Sequence, residues 1–502
     1  MRRMRMQSRW LVVALSFAGI SAALTQTMIT PLVPSLPRIF DASPDDTAWI
    51  VTATLLAAGV SVPIAGRLGD MFGKKRMLLV CTAPLVLGAI VCAMAVSVEV
   101  MIAGRALQGL GSGIMPLGIA LLRDVLPRDR LSSSIATVSS TLGVGGAIGL
   151  PASAAVVEFA NWRVLFVAAA VVATLAGVAM WAAAPSGRSR ARNNGSGQRF
   201  DWLGAIGLAA GLVALILSLS RGSSWGWTSP TTIGLAATAV VILVAWGCWE
   251  VRAERPLVDL RTTARPRVLV TNVASILVGF GMFSSMLVLP QVLQLPSSTG
   301  YGLGQSVLAA GLWMAPAGVM MLLLSPVGGR LSDARGPKAT LALGSGIIAA
   351  GYVVALLGMG STWGILLTSV VINSGVALAF GAMPALIMGA VPQSETASAN
   401  SFNTLMRSLG TTIGAAVIGV VLAQLTVGNG AAAVPSQTAF RIVLGLGAAV
   451  SAGAAILALS IPRLRDAVDR GTSDGTASDV AASHGTPDDS VPAAPEADRV
   501  GS

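Results

Sequence analysis

Long apolar runs alternate with short charged segments along almost the whole chain. A helix that crosses a bilayer needs about 20 consecutive, mostly apolar residues, and the chain holds fourteen such runs. They lie at 10–33, 47–66, 77–97, 101–122, 133–157, 163–184, 202–220, 231–250, 268–294, 304–328, 338–358, 363–390, 403–426 and 440–461. The pattern predicts an all-α integral membrane protein with 14 transmembrane helices.

One charged segment between these runs occurs twice. Residues 66–75 read GRLGDMFGKK and residues 329–338 read GRLSDARGPK, so that six of ten positions are identical. A proline stands three residues before each copy, at Pro63 and Pro326. The repeat indicates that a bundle of membrane helices was duplicated, which is an architecture typical of secondary transporters.

Two shorter repeats support the duplication. Gly-x-Met-Pro occurs at 113–116 and at 381–384, and Leu-Gly followed by a further glycine occurs at 142–146 and at 409–414. Their offsets, about 268 residues, are close to the 263 residues between the charged segments. The predicted domains are a six-helix bundle (1–184), a cytoplasmic linker with two extra helices near 202–220 and 231–250 (185–267), a second six-helix bundle (268–461) and a disordered cytoplasmic tail (462–502).

The basic residues predict the orientation in the membrane. With the N-terminus inside, 28 of the 33 Lys and Arg residues fall in inner loops and tails, four fall outside, and Arg105 lies within a span. Because inner loops are rich in Lys and Arg, we expect a multi-pass protein of the cytoplasmic membrane with both termini in the cytoplasm. The net charge of +11 is spread over these loops rather than over one face, so nucleic-acid binding is not indicated.

Residues suited to enzymatic chemistry are scarce. The one histidine, His484, lies in the polar C-terminal segment, and Cys81, Cys92 and Cys248 lie inside apolar runs. The chain has no P-loop motif that would bind nucleotide phosphates. We therefore expect no enzymatic activity, no cofactor and no metal.

Several motifs resemble those of a known transporter family. The segment 66–75 resembles the inner-loop signature of the major facilitator superfamily, and 101–109, with Arg105, resembles its span-4 motif. Fourteen spans with an extra pair in the middle resemble the drug:proton antiporter branch (EmrB/QacA type), as do the segments 161–163 and 403–410. The resemblance covers roughly residues 10–461.

This resemblance implies a fold and a function. The fold is the major facilitator fold, with two six-helix bundles and two inserted central helices. The bundles work by alternating access, and the implied activity is the export of small hydrophobic or amphipathic compounds in exchange for protons. The partners are then a small-molecule substrate, protons and the lipid bilayer, and we expect a monomer.

Two departures from the branch keep alternatives open. The acidic residue usual in span 1 is replaced by Met28, and the span-5 antiporter motif is present only in a loosened form at 145–153. One alternative is a transporter of a metabolite or lipid-like substrate without proton antiport. Another is a non-transporting membrane scaffold or sensor, although a scaffold would need neither paired charged loops nor polar residues inside spans.

The two charged loops are the predicted conformational latch. Glycine permits a tight turn and close helix approach, and Asp70 can accept hydrogen bonds from the start of the next helix. Breaking such contacts would accompany the switch between open faces. The predicted latch residues are Gly66, Arg67, Asp70, Gly73, Lys74, Lys75, Gly329, Arg330, Asp333, Gly336 and Lys338.

Arg105 and Glu158 are the candidates for coupling protons or charge. An ionised residue within a span is costly and indicates function, and Gln108 lies one turn from Arg105. The alternative is that Arg105 reaches the outer headgroups. Counting every Asp and Glu, Glu158 at the outer end of span 5 comes nearest to a buried acid, with a solvated loop carboxylate as its alternative.

Polar and soft apolar residues inside spans are the candidates for a substrate cavity, with plain helix packing as the alternative. The candidates are Thr25, Gln26, Gln108, Trp313, Met314 and Asn373. Small residues in span 5 predict a rocking interface between the bundles, with Gly145, Gly149 and Pro151 as its motif.

Overall fold

The computed structural model describes residues 2–184, 200–254, 256–427 and 434–462 of the 502-residue chain. Residues 185–199 of the predicted linker, and all but the first residue of the predicted disordered tail (462–502), lie outside the described residues.

The first bundle comprises the helices up to Ala184. They are α1 (Arg2–Thr27), α2 (Leu36–Phe40), α3 (Pro44–Phe72), α4 (Lys74–Ala93), α5 (Val98–Leu110), α6 (Ile114–Val125), α7 (Arg128–Phe159) and α8 (Arg163–Ala183). Two helices follow as an inserted pair, α9 (Trp202–Trp225) and α10 (Pro230–Arg252).

The second bundle begins after a short helix, α11 (Leu260–Thr263). Its helices are α12 (Pro266–Gln294), α13 (Val307–Arg335), α14 (Pro337–Gly358), α15 (Thr362–Met388), α16 (Thr396–Gln424) and α17 (Gln437–Ser460). Between α16 and α17, β1 (Thr426–Val427) and β2 (Val434–Pro435) pair antiparallel.

Thirteen of the described helices are long and apolar enough to cross a membrane. The fourth predicted span is interrupted, because Gly111–Gly113 forms a 3₁₀ turn between α5 and α6. A Cβ at Gly111 would lie 2.8 Å from the Cβ of Leu85, and one at Gly113 would lie 2.7 Å from that of Ala65. The glycines thus let this bent span pack directly on α3 and α4.

Each bundle has its own hydrophobic core. Leu78 and Leu117 lie in the core of the first bundle, Ile348 and Phe440 lie in that of the second, and all four are at most 1 % exposed. In the first bundle α4 packs on α5 and α8, and in the second α14 packs on α15 and α17.

The inserted helix α9 packs against both bundles. Leu208 and Leu212 of α9 share one hydrophobic cluster with Leu56 of α3 and with Leu405 and Leu409 of α16. Because this cluster contains residues of both bundles, the inserted pair covers the line along which α3 meets α16.

The end of α9 is fixed to the start of α3 by a buried arginine. The Arg221 side chain is 3 % exposed, and its Nη2 donates a hydrogen bond of 2.9 Å to the carbonyl oxygen of Asp45. The guanidinium lies 4.4 Å from the ring centroid of Trp49. The attraction between the Arg221 cation and the indole face stabilises this arrangement further. The hydrogen bond and the cation–π contact together attach the inserted pair to the first bundle.

Two lines of contact, which we call seams, join the bundles. The α7–α13 seam is rich in small residues. A Cβ at Gly318 would overlap Ala147, one at Gly311 would lie 3.1 Å from Pro151 Cα, and one at Gly329 would lie 2.6 Å from Ser133 Cα. Since these positions extend along most of α13, the two helices lie nearly backbone to backbone.

The α3–α16 seam is built differently. Near the end of α3 the glycine at position 66 fits against Ser401 and against the carbonyl oxygen of Ala397, which would lie 2.8 Å from an added Cβ. Farther along, the contact passes to the larger side chains shared with α9. The polar groups that join the bundles lie near the first contact, at the end of α3 where Gly66 meets α16.

Candidate functional site

Asp70 connects the first bundle to the start of α16. Its Oδ1 accepts a hydrogen bond of 3.1 Å from the backbone N–H of Ala397, and its Oδ2 accepts one of 2.8 Å from that of Ser398. The carboxylate is 3 % exposed. The first turn of a helix has unpaired N–H groups and a positive dipole end, so a carboxylate is well stabilised there. The sequence predicted that Asp70 would accept hydrogen bonds from the start of the next helix, α4. In the structure it accepts them from α16, which belongs to the other bundle.

Lys74 and Asp124 extend this contact. Lys74 Nζ lies 2.8 Å from Asp124 Oδ2 and 4.0 Å from Asp70 Oδ1, and the lysine side chain is 6 % exposed. Asp124 also accepts a hydrogen bond of 3.2 Å from Gln393 Nε2 of the second bundle. A buried lysine held between two carboxylates offsets part of their negative charge.

Arg123 forms a further link across the bundles. Its Nη1 donates to Thr396 Oγ1 at 2.8 Å, and its Nη2 donates to the carbonyl oxygen of Val391 at 3.2 Å. Sequence reasoning missed Arg123 and Asp124. The available signal was their position, since they are the first charges after span 4 and are predicted to lie on the same side as Asp70.

The other residues of the first loop shape it. Gly73 has φ 98°, a conformation that favours glycine, and it forms the turn between α3 and α4. Lys75 donates from Nζ to the carbonyl oxygen of Ala184 at the end of α8. Arg67 acts electrostatically on Glu250 of the inserted pair and on Glu395 before α16.

The second loop copy makes different contacts. Gly336 has φ 86° and repeats the turn, and Gly329 packs on α7. Arg330 and Asp333 are exposed, while Lys338 is partly buried. Among the described residues Asp333 has no hydrogen bond or ion pair, whereas Asp70 accepts two hydrogen bonds from the N-terminus of α16.

Arg105 is enclosed within the first bundle and is 2 % exposed. Its Nη1 donates to the carbonyl oxygen of Thr25 at 2.8 Å and to Gln108 Oε1 at 2.7 Å. Arg105 Nε and Gln108 Nε2 have no hydrogen-bond partner among the described residues. The structure therefore brings the predicted residues Thr25, Arg105 and Gln108 together, with two donors left over.

Arg407 is a second cation inside the helical region, and the sequence prediction misplaced it. The count of basic residues put it with the inner loops, although the predicted span 403–426 contains it. Since α16 begins at Thr396, Arg407 lies eleven residues into the helix. Its guanidinium lies 4.5 Å from the ring centroid of Phe380 on α15.

The remaining cavity candidates are scattered. Gln26 is exposed near the end of α1, next to Thr25. Trp313 packs edge-on against Trp363, with ring centroids 5.2 Å apart, and Met314 packs against the core of the second bundle. Asn373 donates to the carbonyl oxygen of Ser369, one turn earlier in α15.

The candidates in α7 lie in its second half. Glu158 is exposed in the last turn of α7. Gly145 fits against Ala23 and the carbonyl oxygen of Ile20, and Gly149 fits against Thr27, so both pack on α1. Pro151 meets Gly311 of α13. Of the three predicted motif residues, Pro151 thus lies against the second bundle, whereas the two glycines lie against α1.

Comparison with known proteins gives consistent matches. The family model described as Major Facilitator Superfamily matches residues 15–415. The chain is 27% identical over 424 residues to the tetracenomycin C resistance and export protein of Streptomyces glaucescens, covering 82% of this chain and 76% of that one. It is also 27% identical over 419 residues to the multidrug resistance protein B homolog of Mycobacterium tuberculosis (strain H37Rv), covering 81% and 74%. The alignment with the uncharacterized MFS-type transporter YhcA of Bacillus subtilis, at 26% identity, spans 61% of that protein's length.

A solved structure has the same fold. The human organic anion transporter MFSD10 superposes with a TM-score of 0.61 at 15% identity, and the match covers 90% of this chain and 98% of that one. At this identity the likeness shows the fold alone.

Proposed function

Because the chain belongs to the Major Facilitator Superfamily, and is therefore a multi-pass membrane transporter and not an enzyme, we propose that it exports small hydrophobic or amphipathic compounds by alternating access. Two relatives bear names that refer to export or multidrug resistance. These names support outward movement of the cargo, and the Lys and Arg distribution predicts that both termini are cytoplasmic.

The contact of Asp70 with the N-terminus of α16 carries this proposal. It joins the two bundles at one end of the helices, the end predicted to be cytoplasmic, through two hydrogen bonds to a charged group. Such bonds contribute about 1.5–3 kcal/mol each. They are strong enough to favour a state closed at this end and weak enough to break within a transport cycle.

The resemblance to drug:proton antiporters implies proton exchange as the driving reaction. Glu158 remains its candidate carrier. One observation favours the alternative, transport without proton antiport. Every described Asp and Glu that belongs to one of the long helices lies within the first or last three residues of that helix, so no described carboxylate lies at the depth where a proton carrier would alternate between faces.

Flux measurements on the purified protein in liposomes test the proposal. We expect protein-dependent movement of dye-like amphipathic compounds across the liposome membrane, and slower flux in the Asp70→Asn variant at equal reconstitution. If none of a broad compound panel moves with the wild-type protein, the proposal is wrong.

The same vesicles test the coupling. Proton antiport predicts that an imposed pH gradient accelerates flux and that Glu158→Gln abolishes this acceleration. Flux that is indifferent to the gradient in the wild-type protein supports the alternative.

A further inference from the structure

The membrane-spanning helices carry positive charges in their interior without matching negative ones among the described residues. The described carboxylates of the long helices lie at helix ends, whereas Arg105 lies seven residues into α5 and Arg407 lies eleven residues into α16. Arginine keeps its proton in proteins. Two positive charges thus lie within the membrane-spanning part of the protein, and no described carboxylate pairs with either of them.

Arg407 lies close to the middle of its helix. At about 1.5 Å per residue it is roughly 16 Å from the start of α16. Its guanidinium covers the face of Phe380, and among the described residues it has no hydrogen bond or ion pair. The residue is only partly buried, so its five N–H donors are left for another partner.

The faces of α16 indicate where this partner binds. Leu405 and Leu409 turn toward α9, while Gly410 and Gly414 lie against Ile276 and Phe280 of α12.

A third, polar face of α16 is turned away from both of these neighbours. It carries Thr404, Ser408 and Thr411, of which Ser408 is exposed and the other two are partly buried. Arg407 lies at the edge of this polar face, on the side of α12. A polar stripe at this depth faces a cavity rather than lipid.

Arg105 supplies the second charge, in the other bundle. Its Nη1 is occupied, but its Nε and the neighbouring Gln108 Nε2 are buried donors without acceptors among the described residues. Buried unsatisfied donors are costly, and an uncompensated buried charge is more so. An acceptor with negative charge would relieve both costs.

From these observations we infer that the transported compounds are amphipathic organic anions, and that Arg407 is the group that binds their carboxylate or other acidic group. Arg105 adds positive potential to the path. Phe380 of α15, whose ring faces the Arg407 guanidinium, supplies an aromatic surface beside this group for the apolar part of such a ligand. A cationic compound would meet two uncompensated charges of its own sign. This inference rests on the proposed function and specifies its substrate class.

A matched set of probes tests the inference. Anthracene-9-carboxylate, its methyl ester and 9-(aminomethyl)anthracene share one ring system and differ in charge. We would measure the binding of each probe to the purified protein by energy transfer from tryptophan, and its flux in proteoliposomes. We expect the carboxylate to bind at least about tenfold more tightly than the ester, and the ammonium compound to bind weakest.

Three variants locate the binding group. Arg407→Gln should reduce carboxylate affinity about tenfold and leave ester affinity unchanged, while Arg407→Lys should retain part of the preference. Arg441→Gln removes the same charge at the exposed start of α17 and should change nothing. Thermal unfolding of each purified variant excludes misfolding as the cause.

The outcomes separate the two proposals. If the wild-type protein moves the ester or the ammonium compound at least as well as the carboxylate, or if Arg407→Gln leaves the preference intact, the inference is wrong and the exporter proposal stands. If the wild-type protein moves none of the three probes nor any compound of the broader panel, both proposals are wrong.

Discussion

The two seams between the bundles are held together by different means. Along the α7–α13 seam, glycine and alanine bring the backbones together over most of the helix length. Along the α3–α16 seam, the close contact at Gly66 is short, and charged and polar groups around Asp70 hold it at one end. The inserted helix α9 covers the rest of that seam.

This difference assigns each seam a role in the proposed cycle. Many dispersed contacts between small residues allow helices to tilt and slide without a single bond being decisive. By contrast, the few hydrogen bonds to charged groups around Asp70 can form and break together. We therefore expect the bundles to rock about the α7–α13 seam and to open where Asp70 releases α16.

The largest effect should come from crowding the glycine seam. Gly318→Ala places a methyl group where Ala147 and the carbonyl oxygen of Gly143 lie, so α7 and α13 must separate. We expect more than about a tenfold loss of flux, together with a lower yield of monodisperse protein.

Gly346→Ala on α14 is the matched control, since an added Cβ there has no neighbour within 4 Å. Equal behaviour of the two alanine variants would show that the seam is not tightly packed.

Asp70→Asn should have the next largest effect. The neutral amide keeps the size of the side chain but loses the charge that α16 and Lys74 stabilise. Each of these bonds contributes about 1.5–3 kcal/mol. Losing part of this energy should make flux roughly tenfold slower at near-normal expression.

The second loop copy sharpens this test. Asp333→Asn changes an exposed carboxylate without a described partner, and we expect a much smaller change in flux. Equal losses in the two variants would mean that the loops act alike despite their different contacts.

The smallest effect should come from loosening the inserted pair. Arg221→Gln removes the hydrogen bond to Asp45 and the contact with Trp49. A loss of about 1–2 kcal/mol should lower the midpoint of thermal unfolding by a few degrees and leave the substrate preference unchanged. An unchanged midpoint would show that α9 is held by its apolar cluster alone.

The sequence predicted the helices well because hydropathy reports burial in lipid directly. The predicted all-α major facilitator fold and the family are confirmed by the family match and by the structural likeness. The 3₁₀ turn at Gly111–Gly113 was not predicted, because a short bend does not alter the hydropathy of a span.

The candidate site was only partly predictable. The repeat identified Asp70, but its partners Ala397 and Ser398 are more than 320 residues away and carry no motif. Arg407 was counted with the inner loops although the predicted span 403–426 contains it. The first turns of α16 are polar, with Thr396 and Asn400, so this predicted span began too late. These polar residues are at most 3 % exposed because other residues of the protein, rather than water, surround them.

The separation of the two bundles beside Asp70 is the most direct test of the account. Spin labels at Phe72→Cys and Ser394→Cys, both at exposed positions, would report it in a Cys248→Ser background, since Cys81 and Cys92 are buried. Pulsed electron resonance should give one main distance for the otherwise unchanged protein, and an additional longer distance when Asp70→Asn is introduced or a transported compound is added. Identical distance distributions in all three samples would contradict a latch that opens at this end.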